Sequence, residues 1–125
     1  MDESPLLVAV IDDDASIRKA LKRLLQAMNL DAETFASGQD FLDSLAAHRP
    51  DCIVLDLQMP GMSGLDLLRH LARRDLHLPF VVLTETEEPE TRAQCLSAGA
   101  AAYFTKPVDD EALLVAIQGV AGAFR

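Results

Sequence analysis

Three consecutive aspartates, Asp12-Asp13-Asp14, close one apolar run of the chain, and Asp56 closes another. Thr84 and Lys106 stand in the same position after two further apolar runs. If these run ends share one edge of a sheet, the carboxylates of Asp12, Asp13 and Asp56 repel, and without a cation one of them must hold its proton to a higher pH. A hard divalent ion removes that repulsion, and magnesium favours a few carboxylates plus water over a full protein cage. Lys106 adds a mobile positive charge, and Thr84 a hydroxyl able to bind an oxyanion. Carboxylates, a metal, a lysine and a hydroxyl make a site for phosphoryl transfer, a reaction that needs an in-line nucleophile and neutralised equatorial oxygens. Asp56 stands alone at its run end, where it can be the nucleophile, with Asp13 and Asp12 holding the metal.

The surrounding pattern supplies elements that could bring these ends together. Leu6 to Ile11 is a continuous apolar run, as expected of a buried parallel strand. Ile17, Leu21, Leu24, Leu25 and Met28 mark one helical face behind Asp14 or Ser16 as cap. Asp31 to Phe35 reads as a second strand, and Ser37 caps a helix carrying Phe41, Leu42 and Leu45, stopped by Pro50. Cys52 to Leu55 is a third strand. After the loop Met59-Pro60-Gly61, a helix turns Leu65, Leu68 and Leu71 inward. Phe80 to Leu83 is a fourth strand running to Thr84, Pro89 opens a helix that Gly99 ends in a left-handed conformation, and Ala102 to Thr105 is a fifth strand. A last helix uses Leu113, Leu114, Ile117 and Val120. Strands alternating with helices predict a doubly wound (βα)5 domain, a parallel sheet covered on both faces. Ligands of such sheets bind beyond the carboxyl ends of the strands, where the candidate residues lie.

Ile11-Asp12-Asp13-Asp14, the stretch Leu55-Asp56-Leu57-Gln58-Met59-Pro60-Gly61-Met62-Ser63-Gly64, Leu83-Thr84 and Thr105-Lys106-Pro107 together resemble the receiver domains of two-component response regulators. The resemblance runs from about Leu6 to Ile117, each motif on its expected element. Its first acidic motif and Met59-Pro60-Gly61 are most similar to regulators with a LuxR-type helix-turn-helix output (FixJ-like). It implies a flavodoxin-like, CheY-like fold with strand order 2-1-3-4-5. It further implies that Asp56 accepts a phosphoryl group from a sensor histidine kinase. Asp13, Asp56 and the backbone carbonyl of Gln58 would coordinate magnesium (manganese is the alternative), with Asp12 acting partly through water. Thr84 and Lys106 would each take a phosphoryl oxygen, and Tyr103 would be the aromatic that follows Thr84 inward. The Lys106-Pro107 bond would be cis. One residue departs from the pattern: the position after the threonine, usually small, is Glu85, whose carboxylate would crowd an incoming phosphoryl group. The resemblance also implies remodelling of the face made by helix four, strand five and helix five, expected to carry Arg92, Gln94 and Cys95 with Ala102 to Thr105 beside the site, and the further expectation is a phosphorylation-dependent homodimer through it.

Taken singly, Thr84 would be an ordinary strand-end threonine, Lys106 a surface lysine and Tyr103 a packing residue; their weight comes from the set. His48, His70 and His77 have no metal-ligand spacing and read as solvent-facing. The 125 residues suit one domain, with half of them hydrophobic and no need of a disulfide; Cys52 and Cys95 read as buried thiols. Against 11 basic residues stand 20 acidic ones, a net charge of −9, which argues against contact with DNA or an anionic membrane by this segment itself. DNA would be reached only through an output domain joined to residues 1–125 in a longer regulator. The acidic start Met1-Asp2-Glu3 has no signal-peptide character, and the uncharged stretch Leu113 to Phe124 is too short to span a bilayer, so the expectation is a cytoplasmic protein. An aspartyl-phosphate phosphatase of the haloacid dehalogenase kind would place a second aspartate where Gln58 stands. A phosphate-independent receiver-like module would lack the acceptor or the lysine. The expectation is thus a signalling switch and not a turnover enzyme.

Overall fold

The computed structural model describes residues 5–122; Met1-Asp2-Glu3 and Phe124 lie outside them. Five strands, β1 (Leu7–Ile11), β2 (Asp31–Phe35), β3 (Cys52–Leu55), β4 (Phe80–Thr84) and β5 (Ala102–Thr105), alternate with five helices, α1 (Ala15–Ala27), α2 (Gly38–Ser44), α3 (Gly64–Arg73), α4 (Pro89–Ser97) and α5 (Asp110–Gly122). All strand pairs are parallel and the order is β2-β1-β3-β4-β5. The doubly wound arrangement expected from the alternation, with the strand order implied by the receiver-domain resemblance, is the one observed.

The side chains of a strand alternate between faces, and here both faces are covered. Val8, Val10, Cys52, Val54, Val81 and Leu83 meet Leu21, Leu25, Leu113 and Ile117 of α1 and α5. Ala9, Ile11, Ile53, Leu55, Phe80 and Val82 meet Phe41, Leu67, Leu71 and Cys95 of α2, α3 and α4. Tyr103 packs on this second side, the side to which the alternation also assigns Thr84.

Helix starts follow local chemistry. Asp14 accepts from the backbone N–H of Ser16 and Ile17, Ser37 from Asp40, and Ser63 forms a reciprocal capping box with Asp66. Pro89 opens α4, and Gly99 follows it with φ +104°, a conformation that costs glycine nothing. Gly64 begins α3 against the strand end: a Cβ there would lie 2.5 Å from the Asp56 carbonyl oxygen and 2.8 Å from Leu57 Cα.

Several expectations need correction. Met28 is 45% exposed, because α1 ends at Ala27 and Met28 caps it. The deeply buried leucine of α3 is Leu67, at 0% exposure, while Leu65 and Leu68 are half-buried. The second helix stops at Ser44, well before Pro50. Cys95 does not present itself on an outer face of α4: it is 0% exposed and part of the core. Both cysteines are free and buried, and burial pushes the Cys52 thiol up to about 12. His48 and His77 are exposed, but His70 is half-buried. The Lys106-Pro107 bond is cis, as expected.

Candidate functional site

The parallel sheet delivers the ends of β1, β3, β4 and β5 to one edge. The pairing continues one residue past two of the strands, with the Asp12 N–H donating to Phe35 O at 3.1 Å and the Asp56 N–H to Ile11 O at 3.0 Å. This locks the backbone that carries both carboxylates. Asp12, Asp13 and Asp56 each offer an oxygen, and these oxygens lie within 4.8 Å of one another. Asp12 and Asp56 are buried, at 3% and 5% exposure, whereas Asp13 is exposed at the mouth.

Lys106 reaches this cluster from the end of β5, where its backbone N–H is fixed by Thr84 O at 2.8 Å. Its Nζ lies 2.8 Å from Asp12 Oδ2 and 3.6 Å from Asp56 Oδ2, so its tighter partner is Asp12. Burial opposes the ammonium's charge, but the Asp12 hydrogen bond and the charges of Asp12 and Asp56 outweigh it and hold the Lys106 pKa above its ordinary value. For Asp56 the balance goes the other way. Burial, then the charge of Asp12, raise its pKa, and the Gln58 N–H (3.3 Å from Oδ1), Lys106 and the nearby Thr84 hydroxyl offset only part of this.

One ammonium against three carboxylates leaves the pocket under-neutralised, and an all-oxygen acidic donor set suits a hard divalent cation. The Thr84 hydroxyl adds a second unmet demand. It is 0% exposed and, among the described residues, makes no hydrogen bond of normal geometry, although it stands near enough to the Asp56 carboxylate to lower its pKa, and buried polar atoms of this kind call for an explanation. Both fit a site built to receive a metal ion and an anionic group.

The remaining expected residues surround this centre. Gln58 is exposed beside it. Glu85 is exposed and, with Ile17, Leu21, Lys106, Pro107 and Val108, lines a cavity of about 440 Å³. A larger cavity of about 570 Å³ lies where α3 and α4 meet the start of β4, bordered by Leu68, Leu76, Phe80 and Ala98, and includes none of the acidic cluster. Among the described residues Tyr103 makes no hydrogen bond to the cluster. Its ring is buried, its O–H donates to Thr86 O at 2.8 Å, and the Arg92 guanidinium lies 5.5 Å from the ring centroid. Sequence reasoning missed Arg18, whose Nη1 donates to the Asp12 carbonyl at 2.8 Å. Its place four residues after the cap Asp14, on the first turn of α1, was the only signal available.

Residues 8–118 match the model of the response regulator receiver domain. The chain belongs to this family. FixJ of Azorhizobium caulinodans, a transcriptional regulatory protein, is 38% identical over 122 residues, covering 98% of this chain and 57% of FixJ. The DNA-binding transcriptional regulator NtrC of Escherichia coli is 39% identical over 108 residues, 86% of this chain and 23% of NtrC. The chain therefore spans only part of the curated relatives it matches. Among solved structures, a response regulator receiver protein from Burkholderia phymatum has a TM-score of 0.83 at 40% identity, covering 94% of this chain and 95% of that one. The structure titled FixJ-N has a TM-score of 0.86 at 29% identity, covering 98% and 96%. The receiver domain is a signalling module, and its acidic triad is the feature consistent with metal binding. Among the described residues no helix is long and apolar enough to cross a membrane.

Proposed function

We propose that this receiver domain is a phosphorylation switch in which Asp56 takes a phosphoryl group from the phosphohistidine of a sensor histidine kinase. The observation that carries this reading is the convergence of Asp12, Asp13 and Asp56 within 4.8 Å, with Lys106 Nζ at 2.8 and 3.6 Å from two of them. An Asp56 carboxylate oxygen attacks phosphorus, the phosphorus–nitrogen bond of the donor breaks, and the imidazole leaves with the bonding pair. The product is an acyl phosphate on Asp56. Asp13, Asp56 and the Gln58 carbonyl, with Asp12 acting partly through water, would hold magnesium or, as the alternative, manganese, which when bound would supply charge neutralisation at the phosphoryl oxygens.

Lys106 pairs with one phosphoryl oxygen, which requires it to share or leave Asp12. The Thr84 hydroxyl donates to another and so satisfies its unmet hydrogen bond. Tyr103, on the same side of the sheet, responds to the movement of Thr84, and the face made by α4, β5 and α5 is remodelled. Two states a few kcal/mol apart suffice, provided the phosphoryl contacts favour one of them. That face carries Leu96 and Val115, 45% and 64% exposed, and the modified domain pairs with a second copy through it. Residues 1–125 form one receiver domain in the N-terminal part of a longer cytoplasmic regulator. Its output domain contacts DNA to control transcription, a task for which a net charge of −9 unsuits this segment.

The test is labelling by acetyl phosphate, read by intact mass. With magnesium, one phosphoryl group is gained per chain; in excess EDTA the rate falls at least about tenfold, since the charge-neutralising ion is gone. Glu85→Ala labels faster than the parent, because a carboxylate at the mouth repels the donor. Equal labelling with and without metal would refute the metal-assisted site, and an unchanged Glu85→Ala rate would remove Glu85 from it.

A further inference from the structure

We propose that Arg18 is a positioning residue of the acidic site, holding the Asp12–Asp13 peptide so that both carboxylates stay within the acidic cluster; the inference rests on the metal-assisted reading above. β1 ends at Ile11, whose carbonyl accepts from the Asp56 N–H, and α1 begins only at Ala15. The Asp12 carbonyl therefore lies beyond the sheet and before the helix, and needs a donor from elsewhere. Arg18 provides it. Its backbone N–H is bonded to Asp14 O at 3.0 Å, within the first turn of α1, and its Nη1 reaches back to Asp12 O at 2.8 Å. The residue thus spans the whole β1–α1 loop.

With this bond in place, every polar group of Asp12 is engaged. Its N–H goes to Phe35 O, its carbonyl accepts from Arg18, Oδ1 accepts from the Asp14 N–H at 2.9 Å, and Oδ2 from Lys106 at 2.8 Å. Asp13 is different: it is exposed, and its carboxylate has no hydrogen bond among the described residues. Only its backbone is held, while its side chain keeps its rotamer freedom. The Asp12 carbonyl belongs to the peptide that launches Asp13, so fixing that carbonyl fixes the plane from which the Asp13 side chain departs. A charged donor on a part-buried carbonyl is among the stronger hydrogen bonds a protein makes.

The guanidinium also brings a positive charge to a cation site, and this second effect has the opposite sign. Arg18 is half-buried, so its charge is screened by solvent, whereas the hydrogen bond acts at contact distance. Positioning therefore dominates. The two effects separate in one experiment: calorimetric titration of the full chain with magnesium chloride, with melting in EDTA as the control for folding. Arg18→Met is expected to bind magnesium about tenfold more weakly, the consequence of losing one charge-assisted hydrogen bond. Arg18→Lys, which keeps a donor of similar reach, recovers part of the loss. Should Arg18→Met be unfolded at the assay temperature in EDTA, Arg18→Gln, neutral and too short to bridge the loop, is judged by the same criterion. A folded neutral variant that binds magnesium as tightly as the parent, or more tightly, would overturn the inference while leaving the phosphorylation switch standing. A parent protein that takes no magnesium at all would remove both.

Discussion

At Asp56 the proposed function works against the stability of the fold. Burial, then the charge of Asp12, hold its carboxyl above the ordinary value of 3.8, so the folded protein keeps this proton over a pH range in which the unfolded chain has released it. Stability from this group is full below about pH 4 and is lost as pH rises through the raised folded value. Asp56→Asn has no proton to lose. In metal-free buffer at pH 7 it should melt higher than the parent by about 3–6 °C, the effect of about 1 kcal/mol in a domain of this size, with the gap narrowing as pH falls toward 4. A variant that melts lower at pH 7 would contradict the account of crowded charge. Lys106 contributes in the opposite sense. Its folded pKa is raised, so its stabilisation is complete below 10.5 and fades only in more alkaline solution. The aspartates, Thr84 and Lys106 were legible in the sequence because each follows its apolar run directly, and parallel strands leave their ends on one edge. Arg18 was not legible, since nothing in a helix-borne arginine announces that it reaches back over a loop. The unformed hydrogen bond of the buried Thr84 hydroxyl was equally hidden: it is a property of the packed site and not of the residue.

Strand positions could be read where apolar runs were short and sharply bounded, as at Cys52–Leu55 and Ala102–Thr105, which the structure reproduces residue for residue. Helix orientation was harder. In α3 the close spacing of Leu65, Leu67, Leu68 and Leu71 admits two inward faces about one residue apart, and the core selects the one centred on Leu67. In α4 a sequence of small and polar residues carries no apolar stripe, so although a thiol is prone to burial, nothing in the pattern ruled Cys95 off the outer face where it was expected. The start of α3 is the element most tightly bound to the site, because Gly64 packs its backbone on the Asp56–Leu57 peptide. A methyl group there meets backbone atoms, which cannot rotate away. Gly64→Ala should therefore cost about 1–3 kcal/mol, the usual range for overpacking, and should also slow labelling of Asp56. Gly119→Ala is the matched control: nothing lies within 4 Å of its added Cβ on α5, so the change should be neutral or stabilising by up to about 1 kcal/mol. Urea unfolding of both variants gives the comparison, and equal stabilities would show that α3 yields at this contact.

On the scale of the whole molecule, the proposed switch requires a phosphoryl group at the sheet edge to alter a surface that another protein reads. The exposed Leu96 on α4 and Val115 on α5 give that surface two large apolar side chains, too few to hold a dimer by themselves. The unmodified domain should sediment as a monomer, and beryllofluoride with magnesium should shift it toward a symmetric dimer. A fully modified domain that stays monomeric at high concentration would exclude pairing through this face and leave release of a joined domain as the output. Every one of these consequences depends on which carboxylate takes the phosphoryl group. The most direct test compares the parent protein with Asp56→Asn after treatment with acetyl phosphate and magnesium, by intact mass spectrometry. The parent should gain one phosphoryl group and the variant none. A variant that gains one phosphoryl group to the same extent as the parent would contradict the assignment of Asp56.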